Sequence, residues 1–210
     1  MIWTDPLAVS LPDAARYLGY RGVTPDETMD ERIEACILRV REAARPVHVR
    51  ALFPIAWSDP AEGIFDIGTM HVTSVDLARN LKDCSEAVFF AVTLGMGIDR
   101  MIRRAELTSM LEAAMIQAVA AELTEGYCNV VNEEIRQEAE ARGMYTRPRY
   151  SPGFGDFGLP YQPKFLEMLE ASKKIGIKLT DGLLMIPSKS VTAVVGLSDR
   201  PRALPGKGNE

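Results

Sequence analysis

The sequence has 210 residues, with 24 Lys and Arg against 29 Asp and Glu, and a formal net charge of −5 near neutral pH. That length fits one domain, or a core with a small appendage, and suffices for a hydrophobic core without disulfide staples. With 47% apolar and 25% charged residues the chain reads as a soluble globular protein, and its mild acidity argues against nucleic acid, whose phosphates need clustered Lys and Arg.

Ser10 before Leu11-Pro12-Asp13 signals a helix start, with a short helix over residues 14–18 ahead of the Gly19–Gly22 turn. Thr24 followed by Pro25 signals a second start, because proline suits the first helical position. Met29, Ile33, Ile37, Val40 and Ala44 recur at helical spacing, and Pro46 ends that helix. Val47, Val49, Ala51 and Phe53 alternate as in a strand, and residues 64–72 read as another strand or a pair of short ones. Ser74 caps a short helix through Leu81, and the apolar run 88–94 reads as a buried strand. A short basic helix with Asp99, Arg100, Arg103 and Arg104 follows Gly95. Ser109 caps a long helical pattern running to Gly143, which Gly126 could kink at about 1 kcal/mol relative to alanine.

Residues 144–159 form a Pro/Gly/aromatic loop, and 160–174 a helix closed by Gly176. Two apolar stretches, 177–186 and 191–197, read as a hairpin across Pro187–Ser190. The expected organisation is one unit over residues 1–198, with an N-terminal helical part at about 10–45 and a flexible tail at 199–210. Strands do not alternate regularly with long helices, so the fold class is α+β. Three widely spaced cysteines, Cys36, Cys84 and Cys128, with only two histidines, give neither a disulfide framework nor zinc-ligand spacing. The N-terminus has no basic flank before its apolar stretch, and no apolar run approaches the roughly 20 residues of a membrane span, so a cytoplasmic protein is expected.

Gly153-Phe154-Gly155-Asp156-Phe157-Gly158 matches G-x-G-x-x-G literally. A dinucleotide fingerprint needs a strand before the loop and a helix starting inside it. Here Pro148 and Pro152 precede the glycines and Pro160 delays the helix, so that reading fails. The loop still combines glycines open to close approach, Arg149 with a planar fork for a carboxylate, and the rings of Tyr150, Phe154 and Phe157. Ligand binding and a loop simply pinned by its aromatics fit those residues equally well.

On the long helix, Leu111, Met115, Val119, Leu123, Tyr127 and Val130 form an apolar face, and Glu122 falls within its arc with Glu125 at the margin. A carboxylate there needs a cation or donors. An internal pair with Arg103 or Arg149 is the simpler expectation, and an anionic partner for a bound cation is the other. His48 and His71 have no Ser, Cys or acid at a telling spacing, and no catalytic nucleophile motif is present. Arg100, Arg103 and Arg104 read as a solvated helix flank, with a face toward a partner protein as the other reading.

Four segments together resemble the activation (reactivation) domain of cobalamin-dependent methionine synthase, in its free-standing single-domain form. They are residues 15–22 (ARYLGYRG), Thr93-Leu94-Gly95 with Ile98-Asp99-Arg100, residues 149–156 (RYSPGFGD), and residues 175–181 running on through 185–191. The resemblance implies a helmet-like α+β domain with a twisted antiparallel sheet, flanking helices and one long helix, binding S-adenosylmethionine in a shallow groove. It implies a corrinoid-binding methyltransferase module as partner, with the cobalamin held by that partner. An electron from a flavodoxin-like or ferredoxin-like donor, with the methyl group of S-adenosylmethionine, would restore methylcobalamin. No nucleic acid and no membrane enter that scheme. Carried over by motif, Arg149 holds the ligand's carboxylate, Ser151 and Gly153 offer backbone contacts, and Tyr150 and Phe154 offer rings. A family glutamate falls at Glu122 or Glu125, and a family tyrosine on the last strand corresponds to about Val195. No residue of this chain is expected to be catalytic or to bind metal, since the cofactors carry the chemistry. The alternative is a non-catalytic docking protein or chaperone for a corrinoid module, without ligand binding.

Overall fold

A computed structural model describes residues 9–20 and 26–201. Along the chain run α1 (Leu11–Tyr17), α2 (Glu27–Ala43), β1 (Val47–Asp59), β2 (Ile64–Ile67), β3 (Met70–Thr73), α3 (Val75–Asn80) and β4 (Glu86–Thr93). Next come α4 (Met96–Glu106), α5 (Met110–Ala141), β5 (Tyr145–Thr146), a 3-10 turn (Leu159–Tyr161), α6 (Gln162–Met168) and α7 (Ala171–Ile175). The last elements are β6 (Lys178–Leu179), β7 (Met185–Ile186) and β8 (Ser190–Ser198). The architecture is α+β, a six-stranded sheet in the order β3-β2-β1-β4-β8-β5 with flanking helices, among them the 32-residue α5.

The chain divides into two compact units. The first draws on Met1–Val49, Ala91–Val131 and Glu170–Val191. Ser10 caps α1 by accepting from the Asp13 amide, and Asp26 caps α2 by accepting from Met29. The expected cap pair Thr24-Pro25 lies outside the described residues, and the aspartate two positions on takes the capping role. Ala14, Ile33, Cys36, Val40, Ile98, Ile102, Ile116, Val119 and Leu123 form the unit's core. The α5 pattern is broader than the expected stripe: Ala113, Ile116 and Ala120 are buried beside Met115, Val119 and Leu123, whereas Leu111 is exposed. The helix runs unbroken through Gly126.

The second unit draws on Arg50–Phe90, Asn132–Leu169 and Thr192–Glu210. Strand β1 extends past the expected end at Phe53 and includes Pro54. The β1–β2 ladder closes at Ile55↔Ile67, so the missing proline N–H interrupts no pairing, and the Pro54 carbonyl accepts from Gly68 at 3.0 Å. The expected strand pair over 64–72 is the β2–β3 hairpin, turning at Gly68 with φ +56°. Phe65, Phe89, Phe90, Phe157 and Phe165 are fully buried, with Phe89 and Phe165 stacked at 4.1 Å between centroids.

Two expectations at the C-terminal end are corrected. The helix expected over 160–174 is broken at Glu170, whose left-handed φ of +52° ends one helical run and starts another. The stretches 177–186 and 191–197 do not form a hairpin with each other. β6 pairs with β7 across a turn held by the Thr180 amide and the Leu184 carbonyl at 2.9 Å, while β8 lies between β4 and β5 in the large sheet. Burial explains it: residues 192–198 are buried at every position, as in an interior strand covered on both faces. None of the three cysteines forms a disulfide, and burial pushes the thiols of Cys36 and Cys84 up to about 11.

Gly196 in β8 lies against Cys84 and Leu81: an added Cβ would stand 2.6 Å from each side chain. Gly196→Ala is expected to destabilise the protein by about 1–3 kcal/mol through overpacking, read from urea unfolding midpoints. An unchanged midpoint would show that this part of the second unit is loosely packed.

Candidate functional site

The loop singled out in the sequence belongs to the second unit and is fastened along β8. Tyr145 and Thr146 pair with Ser198 and Leu197, the Arg147 amide donates to the Gly196 carbonyl at 2.8 Å, and Tyr150 exchanges two bonds with Val194 at 2.9 and 2.8 Å. Between Arg147 and Tyr150 the loop side spends one residue more than β8 does between Gly196 and Val194. This bulge falls at Pro148-Arg149, where proline has no N–H for a ladder bond. Arg149, half-buried, therefore sits in the irregular step.

Beyond it the chain closes on itself. The Phe154 amide donates to the Ser151 carbonyl at 3.3 Å, the Phe157 amide to the Phe154 carbonyl at 3.1 Å, and the Gly153 amide to the Phe157 carbonyl at 2.7 Å. Gly153 adopts φ +100°, a conformation that only glycine reaches without strain. The Gly153 amide is thus used inside the loop, which leaves ligand contacts at that residue to its carbonyl. Phe157 is fully buried and stacks on Tyr161 at 4.8 Å, whereas Phe154 is 65% exposed, with the Tyr150 ring at 6.4 Å. Val195 is fully buried.

Asp156, quoted in the 149–156 segment but given no role from the sequence, anchors the loop from the other side. Its carboxylate accepts from the Ser74 hydroxyl, from the Val75 amide at 2.7 Å and from the Asp76 amide at 3.2 Å. Ser74 in turn accepts from Leu77 at 3.0 Å, so loop and α3 share one cap. The Ser74 hydrogen bond, followed by those of the amides, holds the Asp156 carboxyl below its ordinary range. A Cβ at Gly155 would lie 2.4 Å from an Asp76 carboxylate oxygen, so glycine allows the close approach. The only sequence signal was an acid inside a glycine run. Its partner lies 82 positions away.

Glu122 and Glu125 belong to the first unit, both half-buried and one turn apart on α5. Burial raises the Glu122 pKa, the Asp13 charge adds to the rise, and Arg16 partly opposes it. The Tyr17 hydroxyl is raised too, first by burial and then by Glu122 and Glu125. Within this unit the cation acting on Glu122 is Arg16 of α1, and the expected pairing with Arg103 is not what the described residues show. Arg16 also meets Asp13 at 3.4 Å. Among the described residues acting on Glu122, the Asp13 carboxylate outweighs the Arg16 guanidinium, which suits a positively charged group. His48, also in this unit, has Nδ1 2.9 Å from the Tyr127 hydroxyl, a partner the sequence did not reveal.

Two outcomes follow. Asp156→Ala should lower stability by about 1 kcal/mol through loss of the shared cap and speed amide exchange over residues 150–158; unchanged exchange would remove Asp156 as the anchor. Glu122 has a raised folded pKa, so its protonated form favours folding below the unfolded pKa, and that contribution is lost as pH rises through the folded value. Glu122→Gln should therefore gain stability relative to the parent at pH 7, the gain shrinking as pH falls through the raised Glu122 value. A gain that grows on acidification would contradict the sign.

Residues 76–202 match the family model for the activation domain of vitamin B12 dependent methionine synthase. Among solved structures, the crystal structure of the MetH reactivation domain bound to AdoHcy is similar, with a TM-score of 0.64 and 18% identity. The match covers 92% of this chain and 77% of that one, and at that identity it speaks for the fold. No curated protein matches the chain. Among the described residues no helix is long and apolar enough to cross a membrane, and no group of three His, Cys, Asp or Glu could hold a metal ion. The family match takes in more than half of the sequence, including the loop at 149–158 and all of α5, so the chain belongs to the vitamin B12 dependent methionine synthase activation domain family.

Proposed function

We propose that this protein binds S-adenosylmethionine and supports reductive remethylation of the cobalamin of a corrinoid-dependent methyltransferase, most simply a methionine synthase. The observation that carries the reading is the loop inside the family match: Arg149 stands on a bulge fixed to β8, and the glycines after it are clamped by Asp156. A guanidinium held this way offers a planar fork to an amino-acid carboxylate. Tyr150, Ser151, Gly153 and Phe154 supply ring and backbone contacts, and Glu122 or Glu125 takes the role of the family glutamate. Residues 1–198 act as one activation-domain-like unit and 199–210 as its tail.

A partner's corrinoid, reduced by one electron from a flavodoxin-like or ferredoxin-like donor, would supply the nucleophile for the sulfonium methyl, with S-adenosylhomocysteine as the product left behind. This chain's part is to position the methyl donor. A cytoplasmic location follows from such partners. The second reading, a docking protein without ligand, draws on Val195 and Phe154, where the chain departs from the family's tyrosines, and on the burial of Val195.

Calorimetry separates the two. The purified protein should bind S-adenosylmethionine, and Arg149→Ala should weaken binding by about 1.5–3 kcal/mol through loss of a charged hydrogen bond. No heat at millimolar ligand, alongside retained complex formation with a corrinoid module, would favour the docking reading.

A further inference from the structure

The basic run on α4, read from sequence as a solvated flank, is given no role in that proposal. Gly97, Arg100, Met101, Arg104 and Ala105 recur at steps of three and four, so they share one helix face. That face meets α2: an added Cβ at Gly97 would lie 2.6 Å from the Ala43 carbonyl oxygen, so glycine lets the helices touch. Beside the contact is a groove of about 520 Å³ within the first unit. Ala43, Met101 and Ala105 line it together with Arg39, Arg100, Arg104 and Glu112.

The charges do not cancel. Arg39 meets Glu112 at 2.7 Å, whereas Arg100 and Arg104, both exposed, meet no carboxylate among the described residues. Two guanidiniums one turn apart repel each other unless an anion lies between them. A phosphomonoester carries about −1.5 to −2 charges near neutral pH and accepts forked N–H donors. The volume lies within the range of small-molecule sites.

We propose that the groove between α2 and α4 binds a small organic phosphate, its oxygens held by Arg100 and Arg104 and its apolar body resting on Met101 and Ala105. Phenyl phosphate is the probe, titrated calorimetrically into the full chain without S-adenosylmethionine, with inorganic phosphate and phenol as its two halves. Phenyl phosphate should bind more tightly than either half, and Arg100→Ala and Arg104→Ala should each weaken it at least about tenfold. Arg103→Ala removes an exposed arginine from the same helix outside the groove and should change affinity by less than about twofold. Thermal melts of each variant check that it is folded. No heat at about 10 mM phenyl phosphate, equal affinity for inorganic phosphate, or an Arg103→Ala loss matching that of Arg104→Ala would each overturn the site.

Discussion

One carboxylate fixes the part of the second unit on which the functional reading rests. Asp156 gathers the Ser74 hydroxyl and the amides of Val75 and Asp76, so a glycine-rich loop and the start of α3 become one hydrogen-bonded object. Ordering backbone costs about 1–2 kcal/mol per residue, more where glycine widens the unfolded ensemble. The loop offsets that cost at two ends, through the β8 pairings of Arg147 and Tyr150 and through the α3 cap. Arg149 lies between the first two of those pairings, in the bulge. A guanidinium so placed loses less freedom on meeting a carboxylate than one on an untethered loop.

The first unit handles charge differently. Glu122 is kept half-buried with Asp13 near it and, among the described residues, Arg16 as the opposing cation, an arrangement unfavourable to the ionised acid. Such a corner is relieved by an added positive charge, and a sulfonium is one. The α2–α4 groove of the same unit carries the opposite imbalance, arginines in excess of acids. Both departures from neutral pairing are costs that a bound ligand can offset, which is why each reads as a binding feature more than as a stabilising one.

Much of the fold was legible because local physics decided it. Ser10, Ser74 and Ser109 cap helices as their positions predict, and the alternation in 47–53 and the apolar run at 88–94 became strands. What escaped depended on distant partners. β8 and the stretch before it looked like a hairpin because both are apolar and a turn separates them; only the neighbours β4 and β5 determine where β8 goes. The break at Glu170 needs a left-handed non-glycine residue, for which its letter gives no sign. Among the candidate residues, Arg149 and the loop glycines stood out by type and spacing. Asp156 did not, because its partners Ser74, Val75 and Asp76 are remote in the chain. The inward lean of Glu122 followed from helical periodicity, whereas its neighbour Arg16 lies on another helix and was invisible to that argument.

The most direct measurement is a crystal structure of the protein with S-adenosylhomocysteine diffused in. The ligand's carboxylate should lie within hydrogen-bonding distance of the Arg149 guanidinium, with the 150–158 loop unchanged. Ligand density elsewhere, or an Arg149 guanidinium still held by protein groups with no ligand beside it, would contradict the assignment.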